Sequence, residues 1–253
     1  MKHTLLIDAD ILVYKSLSSA EKEVEWEPGE WTITCNHEVA RDTFNQHVAS
    51  LLHSGDYARH ILCFSDTSNF RKKLDPSYKS NRKNRKPLGY KVFRTSIMEE
   101  HSKVSVSKPN LEADDCIGIL ATNGNIASPV VWSEDKDLQQ IPGLRWTPSG
   151  VVEVSEHDAD LFFYTQVLTG DTADGYPGCT GIGPVKADAL LSGVDITDVE
   201  SVWSIIKGTY AKANIPEDFA LTQAQLARIL RSSDWDKTKQ EPILWTPHRT
   251  RTV

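Results

Sequence analysis

Three carboxylates fall within four positions of the segment LEADD, at Glu112, Asp114 and Asp115, directly before the apolar run CIGIL. One acid is enough to cap a helix N-terminus and suit its dipole. Three side by side repel one another unless a cation sits among them. More acids stand where apolar runs end. Asp8 closes HTLLID, Asp66 closes HILCFSD, and Asp135 and Asp137 follow SPVVW. Asp171 and Asp174, three apart in GDTADGY, can share a face at the end of a helix-like segment. Hard oxygen donors with few His or Cys nearby suit Mg²⁺ or Mn²⁺, not zinc. Two such ions a few ångströms apart activate a water and stabilise the leaving oxygen of a phosphodiester. These nine carboxylates are candidate ligands of such a centre.

The elements that must position them are legible in outline. The three acid-terminated runs have strand length and are rich in Ile, Leu, Val and aromatics. Helical patterns alternate with them at 36–53 and 111–123. That alternation predicts an α/β fold with a mainly parallel central sheet flanked by helices. Ligands in such sheets bind at the C-terminal strand ends. Asp135 and Asp137 face the same way if the third strand runs through them. Glu112 and Asp115 share a helix face, whereas Asp114 joins Glu112 only if Glu112 sits at the cap in non-helical geometry. The cluster is therefore expected to straddle a helix start. RWTPSGVVEVS predicts a hairpin around Ser149 and Gly150. Residues 156–232 show helical patterns with little strand signal. The expected organisation is an α/β core over 1–155, a helical lobe over 156–232, and a C-terminal extension over 233–253 with no element assigned.

The chain has 253 residues and a net charge of −7, which by itself disfavours a polyanionic partner. The charge is segregated. Residues 71–94 hold ten Lys or Arg and one acid, Asp75. Such a block matters more than the mean for nucleic acid. Arg71, Lys72, Lys79, Arg82, Lys83, Arg85 and Lys86 are its candidate DNA contacts, and Tyr78 and Tyr90 among them are placed to stack on bases. The four cysteines show no metal-ligand spacing and suit buried thiols in a reducing cytoplasm. No stretch has the length of a membrane span, and the opening residues do not read as a signal peptide.

In GCTGIGPVKA, Gly178, Gly181, Gly183 and Pro184 feed a helix. Exposed N–H groups at such a turn hold phosphate, and Lys186 adds a positive charge one turn in. A hairpin between helices grips a nucleic acid backbone without reading sequence.

Taken in order, LLIDAD, CFSDTSNFRKKLDPSYKSNRK, LEADD, SEDKD and GDTADGYPGCTGIGPVKA resemble the motifs of the 5′-nuclease (flap endonuclease-like, PIN-like) superfamily. More closely, the chain resembles the 5′→3′ exonucleases of podovirus-type bacteriophages. The likeness runs over nearly the whole chain. It implies a metal-dependent nuclease degrading duplex DNA from the 5′ end, with flaps and RNA paired to DNA as related substrates, leaving 5′-phosphates. It implies that Asp8, Glu112, Asp114 and Asp135 hold a first Mg²⁺, with Asp66 near it through water. Asp137, Asp171 and Asp174 hold or support a second, with Asp115 a further candidate. Lys79 and Arg82 would reach the scissile phosphate from a basic arch at about 71–94. Gly181, Gly183 and Lys186 would belong to a helix–hairpin–helix DNA contact, with K⁺ bound by backbone oxygens of 178–183. It also implies work in the cytoplasm of an infected bacterium, and a monomer is the expected state. The first motif departs from the usual Asp-Gly, reading Asp8-Ala9, so Asp10 is expected to help start the next helix instead of binding metal. Two other readings fit less of the chain. Asp8 and Asp10 suit the nucleophile and acid of a haloacid-dehalogenase-type phosphatase, and a non-catalytic nucleic acid binder would keep the fold alone.

Overall fold

The computed structural model describes residues 2–248. Strand β1 (His3–Asp8) is buried from Thr4 onward and lies in the middle of a six-stranded sheet. Its neighbours are β4 (Tyr57–Cys63) and β6 (Pro129–Trp132), both parallel to it. The full order is β5-β4-β1-β6-β7-β8, with β5 (Ser105–Val106), β7 (Gly143–Thr147) and β8 (Gly150–Val154). Only the β7–β8 pair is antiparallel, and it is the hairpin expected around Ser149 and Gly150. A strand covered on both faces needs apolar residues at successive positions. That is why Leu5, Leu6 and Ile7 all lie at 0% exposure.

On one face pack α1 (Ala9–Ala20), α2 (His37–His53) and α4 (Tyr90–Glu100), around Leu12, Phe44, Phe93 and Trp132. On the other, α5 (Ala113–Ala121) packs with Leu6, Val131 and the 229–235 segment. Gly118 of α5 approaches that segment so closely that an added Cβ would lie 2.3 Å from the Leu230 carbonyl oxygen. The helices α6 (Glu156–Thr169), α7 (Pro184–Leu191), α8 (Val199–Lys212) and α9 (Glu217–Ala227) share a third cluster built on Phe163, Trp203 and Tyr210. This cluster also takes in Tyr78 from the basic segment and Trp245 from the C-terminal stretch. The C-terminal stretch carries a two-stranded ribbon, β9 (Trp235–Asp236) with β10 (Glu241–Pro242). The remainder of the proposed 233–253 extension, beyond 248, lies outside the described residues.

Several boundaries differ from the sequence expectation. The second strand ends at Cys63, so Asp66 lies in the loop beyond it. The third strand ends at Trp132, and Asp135 caps a 3₁₀ turn, Lys136–Gln140, so the two acids there are not strand neighbours. Asp171 and Asp174 lie in a turn after α6, not on its last face. The basic segment is not one arch. It begins with the short helix α3 (Arg71–Leu74) and ends inside α4, leaving an exposed strap at about 82–86. Tyr78 and Tyr90, expected to stack on bases, are buried at 2% and 9%.

One element escaped the sequence reading. After α1 the chain forms β2 (Glu21–Glu27) and β3 (Glu30–Cys35), a separate two-stranded ribbon turning at Pro28 and Gly29. Its signal was strict alternation in EKEVEWE followed by Pro-Gly.

Candidate active site

Asp8 ends β1 and caps α1, accepting a hydrogen bond from the Ile11 N–H. A strand that turns directly into a helix leaves its last residue extended, the geometry an N-cap needs. Ser133, just past β6, donates to Asp8 at 2.9 Å and accepts the Asp135 N–H at 3.0 Å. Asp135 then accepts the Asp137 N–H, and Asp137 accepts the Gln166 side chain at 2.7 Å. Gln140 donates to Gln166 and to the Ala227 carbonyl and accepts the Ile229 N–H. These amides brace the acidic loop against the helices. Ser133 is adjacent to SEDKD in sequence, but nothing in the sequence singles out Gln140 or Gln166.

LEADD does straddle a helix start. Glu112 is the N-cap of α5 in extended geometry (ψ 164°), and Asp114 and Asp115 lie in its first turn. Asp115 closes a capping box by accepting the Glu112 N–H. Arg71 grips the same carboxylate with two hydrogen bonds of 2.7 and 2.8 Å, and the Leu230 N–H adds a fourth donor. Asp115 is 0% exposed and its oxygens are committed, so the expectation of a metal ligand is corrected to that of a structural anchor. Arg71 is corrected with it. Its guanidinium is buried and also binds Glu112 and the carbonyls of Leu226 and Arg228, so it does not face DNA.

Glu112, Asp114, Asp137 and Asp174 line one small cleft with Arg71, Tyr78 and Tyr176. The Tyr78 hydroxyl lies 3.0 Å from Glu112 and 2.8 Å from Asp174. Lys79 donates to Glu112 at 2.5 Å and approaches Asp174 at 3.4 Å, and Arg82 binds Asp174 at 2.6 Å. Lys136 binds Asp171 at 2.7 Å. Lys79 has φ +57°, a left-handed backbone uncommon outside glycine and often found at functional sites. Its N–H donates to the Asp174 carbonyl, which holds the basic segment on the acidic turn. That turn is fixed by Gly170 and Gly178, where the chain passes over itself. A Cβ on Gly178 would lie 2.2 Å from the Gly170 nitrogen, and φ is +66°. Asp171 accepts the Ala173 and Asp174 N–H groups inside the turn.

The electrostatics divide the carboxylates. Burial, then the Asp10 charge, pushes Asp8 up to about 7. Burial, then Asp8 and Asp135, pushes Asp114 well above the ordinary range. Burial, then Asp135 and Asp171, raises Asp137 to about 6. For Glu112 burial acts upward, but Lys79 and Arg71 outweigh it and hold the carboxyl at about 2. Burial acts upward on Asp171 too, and Lys136 overcomes it. So one group of acids is held by cations, and another lies together without enough positive charge. Among the described residues, no group of three or more His, Cys, Asp or Glu side chains is arranged as it stands to hold a metal ion. Lys79, Arg82 and Lys136 instead occupy oxygens of Glu112, Asp174 and Asp171.

The other expected residues fall outside this cleft. Asp66 accepts from the Thr67 and Asn110 N–H groups and from Ser68, which staples its loop and draws its carboxyl down, chiefly through Asn110. Asp10 accepts the Ser65 N–H and pairs with Arg94. It lies in the first turn of α1, but Asp8 is the cap. Arg85 binds Glu21 and Glu23 of the β2–β3 ribbon, and Lys86 lies over the Tyr90 ring at 4.2 Å. Lys72 and Lys83 are exposed. Gly181 and Gly183 are exposed between α6 and α7, where Lys186 donates to the Gly181 carbonyl at 2.8 Å. That ammonium takes one of the oxygens expected to hold K⁺. No helix among the described residues is long and apolar enough to cross a membrane.

The model of the 5′-3′ exonuclease N-terminal resolvase-like domain matches residues 3–158. The exonuclease of Escherichia phage T7 is 32% identical over 97% of this chain and 94% of its own length. The exodeoxyribonuclease of Enterobacteria phage T3 is likewise 32% identical, over 97% of this chain and 93% of its own. Among solved structures, a mutant of the 5′-exonuclease of phage T5 superposes with a TM-score of 0.60 at 16% identity, covering 90% of this chain and 88% of that one. T5 structures of the same fold have been crystallised with metal ions. The acids at the ends of β1 and β6 and at the start of α5 fall within the matched span, and the chain belongs to the 5′–3′ exonuclease family.

Proposed function

We propose that this chain hydrolyses phosphodiester bonds of duplex DNA from the 5′ end with two divalent cations held among its carboxylates. It is a 5′→3′ exonuclease. One observation carries the two-ion reading. Asp8, Asp114 and Asp137 are buried close to other acids, and burial with mutual repulsion opposes their ionisation. An all-oxygen donor set under that stress fits a hard divalent cation, Mg²⁺ first and Mn²⁺ as a substitute. Asp8, Glu112, Asp114 and Asp135 would hold one ion and Asp137, Asp171 and Asp174 the other. Asp66 is stapled in its loop and would act no closer than through water. When bound, such ions supply an activated water and stabilise the leaving oxygen.

The chain's own groups do the rest. Lys79 and Arg82 stand on Glu112 and Asp174, at the cleft edge where a scissile phosphate would lie. On substrate binding they exchange these carboxylates for phosphate oxygens and offset the charge that builds up in the transition state. Ser133 and Gln166 keep Asp8 and Asp137 aimed as they ionise. Lys72, Lys83 and Lys86 would follow the backbone, while Gly181, Gly183 and Lys186 would hold the duplex further along. Lys186 supplies the positive charge at the Gly181 carbonyl, in competition with K⁺. Products would carry a 5′-phosphate, and RNA paired to DNA would also be cut. We propose a monomer acting in the bacterial cytoplasm.

The test is a duplex labelled at the 5′ or the 3′ end, incubated with Mg²⁺ or with EDTA. Early release of the 5′ label, abolished by EDTA, is the expected result. Asp114→Asn and Asp135→Asn should lose turnover and keep DNA binding. Cleavage in EDTA, or early loss of the 3′ label, would overturn the proposal.

A further inference from the structure

We infer that Trp31, on the β2–β3 ribbon, is a substrate-positioning residue that stacks on an unpaired base of the 5′ strand. This rests on the exonuclease reading above. The aromatics inside the basic segment are unavailable, because Tyr78 and Tyr90 are core residues. The ribbon that the strap contacts through Glu21 and Glu23 carries exposed aromatics instead. Trp31 is 57% exposed and Trp26 is 71% exposed.

The ribbon has two distinct faces. Cross-strand partners share a face, and alternate residues along a strand share it too. The pairs Glu21–Cys35, Glu23–Ile33 and Glu25–Trp31 therefore form one face. Lys22–Thr34 and Val24–Thr32 form the other, and the Trp26 indole donates to Thr32 there at 2.9 Å. Arg85 of the strap binds Glu21 at 2.8 Å and Glu23 at 3.1 Å, and the Leu88 N–H donates to Glu21. The strap thus crosses the root of the face that carries Trp31. Its other end is at the cleft, where Arg82 binds Asp174. Arg85 lies three positions after Arg82, a span of at most about 10 Å. A strand leaving the cleft along the strap reaches the Trp31 face almost at once.

The charges fix how that strand would lie. The ribbon carries Glu21, Glu23, Glu25, Glu27 and Glu30 against a single Lys22, so it repels phosphates. On the strap, exposed Lys83 attracts them, while Arg85 is engaged by Glu21 and Glu23 and Lys86 lies over the Tyr90 ring. A single strand running along the outside of the strap would turn its phosphates toward Lys83 and its bases toward the ribbon face. A duplex presents phosphates on both sides and has no free base to offer. The predicted substrate feature is accordingly an unpaired 5′ nucleotide, and Trp31 is the residue that reads it by stacking.

The test compares duplexes that are blunt or carry a short unpaired 5′ extension, cut by the wild type and by Trp31→Ala and Trp26→Ala. Both tryptophans are exposed, and circular dichroism checks that each variant folds. Stacking on one base predicts that Trp31→Ala lowers kcat/KM on the extended substrate about 5- to 150-fold, mainly through KM. Trp26→Ala, on the far face, should match the wild type, and the blunt duplex should be cut almost equally by all three. Binding of the extended substrate should quench tryptophan fluorescence in Trp26→Ala but not in Trp31→Ala. Equal activity of Trp31→Ala and wild type on the extended substrate would overturn the inference, as would equal losses for both variants. Failure of the wild type on both duplexes would instead refute the exonuclease reading.

Discussion

Replacing Asp8 by Asn should abolish turnover and, in the absence of metal, stabilise the fold. Burial, aided by Asp10 and Asp135, raises the Asp8 carboxyl from its ordinary value to about 7. That displacement corresponds to about 4 kcal/mol against the ionised form. The sign follows from proton uptake. Between about pH 4 and pH 7 the folded chain holds a proton on Asp8 that the unfolded chain has lost. Stability of the metal-free protein therefore falls as pH rises through this window, and the full penalty is present by pH 8. Asn keeps the shape without the charge. Its oxygen can accept the Ile11 N–H and its amide can donate to Ser133, whose hydroxyl accepts in turn. Asp137, raised to about 6, contributes in the same direction and stays in the variant. Glu112, held at about 2, acts only at lower pH, and His60, lowered chiefly by burial, acts in the opposite sense below about pH 6.5. Melting in EDTA should show Asp8→Asn and wild type nearly equal at about pH 4, a gap that opens from there upward, and the variant higher at pH 8, by about 5–15 °C for a chain of this size. Saturating Mg²⁺ should reverse the order by stabilising the wild type more. A variant less stable than wild type at pH 8 in EDTA, or an offset independent of pH, would refute the electrostatic reasoning.

The remaining predictions concern the scaffold and the phosphate contacts. Arg71→Met should leave the Asp115 carboxylate buried without its guanidinium, costing about 3–5 kcal/mol in urea unfolding. A loss below about 1 kcal/mol would show that Asp115 finds another partner or water. Gly178→Ala forces a Cβ onto Gly170 at a left-handed position and should cost at least about 2 kcal/mol. Because the loop carries Asp171 and Asp174, activity should fall with stability, and an unchanged melting temperature would contradict the crossing drawn here. Arg82→Ala should lower kcat by about 10²–10³ with intact folding, read in single-turnover cleavage. Wild-type kcat in that variant would remove Arg82 from the phosphate site. DNA affinity should fall steeply between low and moderate salt, and a salt-insensitive Kd would count against the basic strap.

The order of strands and helices was written in the sequence because it follows from local periodicity. HTLLID has the length and composition of a strand, and LEADD before an apolar run fits a helix start. The acids at the ends of β1 and β6, at the start of α5 and in GDTADGY were legible for the same reason. Carboxylates at element ends are local signals, and the topology of a parallel sheet gathers strand ends at one edge. Only the tertiary structure shows which acids are engaged by cations and which lie buried beside one another. Asp115 and Arg71 look like site residues in one dimension, but a long-range ion pair across 44 residues commits them to the scaffold. Tyr78 and Tyr90 look like stacking aromatics, but packing takes them into the core. Gln140 and Gln166 gave no signal, because their role depends on a helix and a loop meeting in space. The exposed tryptophan near the basic strap likewise comes from a ribbon remote in sequence, brought there by the Glu21 and Glu23 contacts with Arg85. Residue type and spacing fix local geometry and the kind of chemistry available. Which partners neutralise a given charge, and which aromatics stay exposed, depends on contacts that no local pattern encodes.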